Sequence, residues 1–527
     1  MKINLKTSRY NYFAKFFLCK INITGNRGGD AVSLFQSTAA KVVDQSYLQW
    51  MWEEDNIERI EMYETRNNYY NGDIEVSLPS DVKTKLPADV VTNANICAAV
   101  VNAAVRFLSQ KPLQIQINLP SEAMLKVRRD EQGEIDENDP MAKLQKEAQA
   151  AIEIIFKRNK FMRRKPMKVA RLQSKKGECA IKINWDGEKN VLAPEDIKLV
   201  VLKPDVCFPR CKDENYEEFE YFAISYDRIK DGKTKKFAQI LRPGRIEEYE
   251  KHNGMWVKIK DCVGISEIPV AWVRNQEDDS KWSMADITPT LIDIQDALNK
   301  MLTDLVISTD FDSFKETWIE GGEAPEDDEG KPKPIERGAG ITHWLALDGG
   351  GDKPNVKFSE PSSFEGLISA IDKTLDLISV VSGTPKNELN LSINGNLPSG
   401  VALRMLYQSF IGLIDEKKML LEDAYEELIS KIFLALNENG GPDYTMMIPK
   451  VTVIAELPAD EKEQNDIIIR QVEAGLESPQ SAMRRQGKTK EEIEEIMNET
   501  EAWNERFGDS FNTRVFSEIL NNQNTEV

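Results

Sequence analysis

Histidine is almost absent from this chain, with two residues in 527, His252 and His343. That scarcity removes the commonest general base from most of the molecule. His252 sits beside an Asn253-Gly254 turn, and His343 lies in a strand-like run with no nucleophile near it. The six cysteines (Cys19, Cys97, Cys179, Cys207, Cys211 and Cys262) include no C-x2-C pair. They read as reduced thiols in a reducing compartment rather than as a disulfide framework. Cys207 and Cys211 form a lone C-x3-C, and zinc would need two further ligands, so no metal is expected. No apolar run reaches the length of a membrane-spanning helix. The N-terminus MKINLKTSRYNYFAKFFLCK has a short apolar patch, but Lys15 and Lys20 interrupt it and no small-residue cleavage site follows. It makes a poor signal peptide. G-x-S-x-G is missing as well. Gly232-Lys233-Thr234 and Gly487-Lys488-Thr489 look like the end of a phosphate-binding loop, but Asp227 and Ala482 stand where the first glycine would be needed. Neither catalytic residues nor a cofactor are therefore expected.

What the chain has is length and acidity. Its 527 residues suffice for two to four compact units, 41% are hydrophobic, and the net charge is −20. An acidic chain does not wrap nucleic acid over its whole surface, although it can surround DNA without sticking to it. One stretch inverts the sign: KRNKFMRRKPMKVARLQSKK, residues 157–176, holds ten Lys or Arg and no acid. The plain reading is a helix face that pairs with neighbouring acids. The functional reading is contact of Arg163, Arg164, Lys165 and Lys168 with nucleic acid or an anionic partner surface. Only Phe161 lies among these charges, which argues against a base-stacking platform.

Periodicity orders the rest. Residues 1–44 read as an arm. Residues 41–66, with Leu48, Met51, Trp52, Ile60 and Tyr63, suit an amphipathic helix that Asn71-Gly72 ends. A second helix is expected over 92–109, capped by Thr92 or Asn93 and stopped by Lys111-Pro112. Leu113, Ile115 and Ile117 then alternate like a half-buried strand. Residues 121–140 read as a loop, and one helix follows over 141–174. Seven strands are expected between residues 180 and 273, broken by Asp186-Gly187, Asp231-Gly232, Pro243-Gly244 and Asn253-Gly254, which together describe an antiparallel unit packed on helices.

Thr288-Pro289 marks the next helix start. Leu291, Ile294, Leu298, Met301, Leu302, Leu305 and Val306 form its apolar stripe. The other face carries Asp293, Asp296, Asp304, Asp310 and Asp312. This rod would be roughly 38 Å long. Three short strand candidates (KETWIE, THWLAL and NVKFSE) follow within 315–360, with an acidic loop between the first two. A helix from Pro361 to about Ser382 returns, so the pair makes a helical hairpin around a small β insertion. The loop 383–400 is rich in glycine, proline and asparagine and carries only Lys386 and Glu388 as charges; it reads as mobile. The helix over 401–438 would span about 57 Å. Met446–Ile454 is a strand candidate. Residues 457–510 read as short charged helices and 511–527 as a tail.

These elements resemble the portal proteins of tailed bacteriophages, from roughly residue 57 to 507. The likeness rests on Tyr69-Tyr70-Asn71-Gly72, on the Asn95–Asn102 helix leading to Lys111-Pro112, and on LIDIQDALNKMLTD (Leu291–Asp304) entering a helical stem. Its strongest part is Gly395-Asn396-Leu397-Pro398-Ser399-Gly400-Val401-Ala402-Leu403 at the head of the long helix. Leu457-Pro458-Ala459-Asp460 and Gly475-Leu476-Glu477-Ser478 complete it. Ser109-Gln110 stands where relatives often have glycine, and the first 45 residues have no clear counterpart.

The resemblance implies an α+β portal-type fold that assembles as a ring, usually of twelve subunits, at one capsid vertex. Double-stranded DNA would be packaged and ejected through its centre without sequence specificity. Residues 45–283 and 401–456 would form the wing, 284–314 and 361–382 the stem, and 315–360 the clip. Residues 383–400 would form the tunnel loop and 457–510 the crown. Lys386, Asn387, Asn390, Asn394 and Asn396 would then touch DNA, and Asp293, Asp296 and Asp304 would give the stem an acidic face. Glu323, Glu326, Asp327 and Asp328 of the clip would bind the terminase motor and later the head–tail adaptor. Capsid and scaffolding proteins would be further partners, with assembly in the host cytoplasm and residence in the virion. Two rivals stand beside this reading. One is another virion structural or interaction protein, which would form no closed ring. The other is a DNA-processing enzyme, which would show metal-dependent cleavage or nucleotide hydrolysis.

Overall fold

The computed structural model describes Leu48, Met51 and residues 54–73, 92–124, 139–185, 191–277, 281–320, 342–345, 355–358, 363–389, 400–455, 468–485 and 493–500, apart from 231 and 314–316, together with Arg128, Asp328 and Gly330. The expectations on 1–44, on most of the acidic clip loop, on 390–399 and on the tail fall outside these residues.

Helix α1 (Glu54–Asn71) ends where the Asn-Gly pair predicts, with Gly72 at φ +79°. Leu48, Met51 and Tyr63 are buried as the amphipathic pattern requires. Helix α2 (Ile96–Leu108, ICAAVVNAAVRFL) is apolar almost all round, and nine of its side chains are buried, which makes it the central rod of the core. Its cap is Asn95 and not Thr92 or Asn93: the Asn95 side chain accepts from the Ala98 N–H at 3.3 Å, while Asn93 reaches back to the Gly72 carbonyl at 2.8 Å. The helix expected over 141–174 is two helices, α3 (Pro140–Arg158) and α4 (Arg164–Lys176). Three things break it. Asn159 bonds its side chain to the Ile155 and Ile197 carbonyls, each at 2.9 Å. Lys160 takes φ +60°, and Phe161 turns into the core against Phe156.

All strand pairs of the body are antiparallel. Strands β2 (Glu178–Asn184), β3 (Lys198–Leu202) and β9 (Val270–Arg274) make a sheet in the order β3-β2-β9. Strands β4 (Cys207–Lys212), β5 (Asn215–Lys230), β6 (Lys233–Arg242), β7 (Arg245–His252) and β8 (Met255–Val263) form a meander in chain order. Sequence reading missed β4 because Pro209 interrupts it; β4 is an edge strand, where a missing N–H is tolerated. Strand β1 (Gln114–Asn118) pairs with β13 (Ile448–Thr452), from the far end of the chain.

Beyond the body, α5 (Pro289–Ser313) runs out and α6 (Glu365–Ser382) packs back along it. Between them lie β10 (Thr317–Glu320), β11 (Thr342–Leu345) and β12 (Asn355–Phe358), with β10 in the centre, parallel to β11 and antiparallel to β12. The helical hairpin with a small sheet between its arms is thus present, as expected. Helix α7 (Gly400–Glu438) lies against β9, β13 and α2. Its C-terminal half is core, including Tyr425, Leu428, Ile429, Ile432, Phe433 and Leu436. Nearer its start, Met405 and Leu406 are 71% and 58% exposed.

Candidate functional site

The hairpin leaves the body at a root made of buried polar groups. Along α5, Gln295, Asn299 and Thr303 follow one another at i, i+4 and i+8, so they share a face, and all three are buried. They satisfy backbone N–H groups at the head of α2 and just before it. Gln295 Oε1 accepts from Ile96 and Cys97 at 2.7 and 3.3 Å, Asn299 Oδ1 from Ala94 at 3.0 Å, and Thr303 Oγ1 from Thr92 at 3.3 Å. Gln295 Nε2 also donates to Asn299 Oδ1 at 2.8 Å, so the three act as one ladder. A helix start has orphan donors; here a second helix supplies the acceptors and is oriented by doing so.

Just before α5, Asp286 forms an ion pair with Lys417 of α7 at 2.5 Å, and both side chains are buried. Lys417 also reaches Ser174 Oγ at 3.3 Å, and Asp286 accepts from Asn275 Nδ2 at 2.9 Å. Gln173 Nε2 donates to the Lys417 and Arg274 carbonyls at 3.3 and 2.9 Å. Gly177 ends α4 at φ +96°, and a Cβ there would lie 2.5 Å from the Ser283 carbonyl oxygen. The end of α4, the entry to α5 and the middle of α7 are therefore locked at one point.

The loop after α6 begins as a fixed turn. Residues 383–389 include buried Thr384 and Leu389, and Ser379 Oγ donates to the Thr384 carbonyl at 2.7 Å. The Tyr407 hydroxyl of α7 donates to Glu388 at 2.8 Å. Arg106 of α2 lies 3.3 Å from the same carboxylate and donates to the Glu388 carbonyl at 2.9 Å. Burial, then Glu388, pushes the Tyr407 hydroxyl well above its usual range. Lys386 pairs with Asp376 of α6. Mobility is thus not a property of the loop's first residues: 383–389 are held by α2, α6 and α7.

The sequence-predicted residues fall in several places. Lys386 and Asn387 lie in the fixed turn, and Asn390, Asn394 and Asn396 lie outside the described residues. Asp293 and Asp296 are exposed on α5, with Asp296 accepting from the Tyr69 hydroxyl at 2.8 Å; Asp304 is half-buried. Asp328 is exposed, and Glu323, Glu326 and Asp327 lie outside the described residues. Arg163 and Arg164 are exposed. Lys165 and Lys168 donate to the Leu199 and Val201 carbonyls, the latter at 3.4 Å, at the open edge of β3. Part of the basic cluster therefore blunts an edge strand. Among the described residues no group of three or more His, Cys, Asp or Glu could hold a metal ion, and no helix is long and apolar enough to cross a membrane. The polar ladder and the Lys417–Asp286 pair were not foreseen. The Gln-x3-Asn-x3-Thr spacing was a usable signal for the first; nothing local marks the second.

A family model described as "Phage portal protein, SPP1 Gp6-like" matches residues 51–506. The chain belongs to this family. Its role is that of a portal, or head–tail connector, in the virion, and the family is structural rather than enzymatic. Two solved structures align with most of the chain at low identity. A chain of "Virion of native gene transfer agent (GTA) particle" is 12% identical, with 78% of this chain and 94% of that chain covered at a TM-score of 0.37. A chain of "Neck of empty GTA particle computed with C6 symmetry" is 10% identical, with 74% and 90% covered at a TM-score of 0.36. No curated protein matches the chain.

Proposed function

We propose that copies of this chain close into a ring, of twelve subunits in the virion, at a single capsid vertex, and that double-stranded DNA enters and leaves through its centre. The observation that carries this reading is the portal-family match over residues 51–506. In this reading the body is the wing, α5 and α6 are the stem, the small sheet is the clip, and the helices within 457–510 are the crown. The stem supports it physically. Ile368 and Leu377 are each 48% exposed in the single chain, and Val380 is 78% exposed. A ring covers such residues with the next copy's stem. Asp293 and Asp296 add exposed negative charge, which repels phosphates and lets DNA slide without being gripped.

The tunnel loop is then the part that meets DNA. Its fixed stub at 383–389 hands on to residues 390–399, with Asn390, Asn394 and Asn396 as neutral contacts. Lys386 and Asn387 stand at the base. The clip loop, with Glu323, Glu326, Asp327 and Asp328, docks the terminase motor and afterwards the head–tail adaptor. Scaffolding and major capsid proteins surround the ring as it assembles in the host cytoplasm. Deleting 391–396 tests the loop, because the deletion leaves the Arg106–Glu388–Tyr407 anchor intact. Rings should form normally, with packaging or retention of DNA impaired; unchanged packaging contradicts this role.

A further inference from the structure

The body carries two oppositely charged features at opposite edges of one sheet. The first is the corner between α3 and α4. Arg158, Lys160, Arg163 and Arg164 are exposed there, and none has an ion-pair partner among the described residues. The corner is fixed to the outer edge of β3: Asn159 accepts from the Leu199 N–H and donates to the Ile197 carbonyl, both at 2.9 Å, and Lys165 caps the Leu199 carbonyl. The backbone that carries these four cations is therefore anchored to an edge strand on both sides, through Asn159 and Lys165.

The second feature is a groove of about 810 Å³ on the β9 side, between α7 and the ends of β5, β6 and β9. Trp272 and Phe219 line it, with ring centroids 6.3 Å apart. Five carboxylates line it against two cations. Three of these carboxylates are paired within the chain: Glu277 with Arg274 at 3.1 Å, Glu427 with Lys431, which also donates to the Val270 carbonyl at 2.7 Å, and Glu218 with Lys212 from outside the groove. Glu267 and Asp423 are exposed, with no ion-pair partner among the described residues. The groove thus combines an aromatic wall with two unneutralised carboxylates, Glu267 and Asp423.

The order β3-β2-β9 sets the geometry. With strands about 4.8 Å apart, the sheet separates corner and groove by roughly 10 Å or more, so one copy cannot close them on each other. A two-fold contact uses one self-complementary patch. Two different patches on opposite edges instead make a head-to-tail contact, which generates a ring when the rotation closes. We infer that the groove of one copy receives the basic α3–α4 corner of the next. This rests on the ring proposed above and adds which surfaces meet. It also gives Arg163 and Arg164 an anionic partner, the neighbouring subunit rather than DNA. Charge pairs at such a contact select the partner and its register, and added salt weakens them.

Two full-length variants test this. In one, Arg158, Arg163 and Arg164 are each changed to Glu; in the other, Glu267→Lys is combined with Asp423→Lys. All five positions are exposed, and circular dichroism checks the fold of each variant. Assembly is read as mass by light scattering at physiological ionic strength, beside the unaltered chain. Each variant alone should need at least about tenfold more protein to assemble, because like charges then face each other at every contact. An equimolar mixture should recover rings in which the two variants alternate, since every contact again joins opposite charges. If both variants assemble as readily as the unaltered chain, the contact is wrong and the ring stands. If the variants fail and the mixture fails too, the pairing of these two surfaces is wrong. If the unaltered chain forms no ring at any concentration, the ring is overturned and this contact with it.

Discussion

The body and the hairpin handle their surfaces in opposite ways. In the body, α2 buries nine side chains, Glu178 is buried between Arg59, Tyr63 and Trp272, and Lys417 is buried against Asp286. In the hairpin, α6 buries only Ile371 and Ile378 and leaves Val380, Leu377 and Ile368 largely open. Open apolar side chains occur in the body too, with Ile229 and Val263 82% and 85% exposed, but the body also closes a large core of its own whereas α6 closes little. In the proposed ring the next copy would cover the hairpin's open apolar side chains, so the hairpin would depend on assembly more than the body does.

The sharpest way to break this contrast is at Lys417. Lys417→Met leaves Asp286 as an uncompensated buried charge, and the body should lose about 3–5 kcal/mol in denaturant unfolding. Replacing both partners with apolar residues should recover most of that loss. A smaller change is expected at the root of the hairpin. Gln295→Leu strands the Ile96 and Cys97 N–H groups and should cost about 1–3 kcal/mol, with faster amide exchange at the head of α2.

A pH effect comes next. Lys182 of β2 is buried beside Gln239, and burial lowers its pKa to about 8 from an ordinary 10.5. Below about pH 8 it is protonated in both folded and unfolded chains, and the folded state bears the cost of a buried charge. Between about pH 8 and 10 the unfolded chain binds the extra proton, so this group's contribution makes stability rise with pH. Lys182→Met should remove that rise in unfolding curves taken across the window. The smallest effect on the single chain is expected in the hairpin. Val380→Ser combined with Leu377→Ser should shift body stability by no more than about 0.5 kcal/mol, yet abolish ring formation in light scattering. A large loss of body stability from this pair would erase the contrast between the two regions.

How much of this was legible in the sequence follows the range of the interactions. The hairpin, its small sheet and the long α7 were readable because repeated Leu, Ile and Phe spacing is a local signal. The body's meander was readable from its glycine turns, apart from β4, which Pro209 disguised. The Gln295–Asn299–Thr303 ladder went unread because a search for apolar stripes passes over polar ones. Lys417 and Asp286 are 131 positions apart, and no local pattern announces their pairing. The break at Asn159–Arg163 was hidden because its cause, Asn159 reaching β3, is tertiary. The basic cluster was visible as charge, but its division into edge-capping lysines and outward-facing arginines required β3 to be in place. The loop after α6 looked uniformly mobile, since Leu389 and Glu388 show their anchoring only beside Tyr407 and Arg106.

The most direct test of the central claim is negative-stain electron microscopy of the purified chain, with light scattering on the same sample. The account predicts closed rings with a central hole and a mass that is a whole multiple of 59.9 kDa. A chain that remains a compact monomer at concentrations where scaffold-assisted assembly also yields no ring would contradict it.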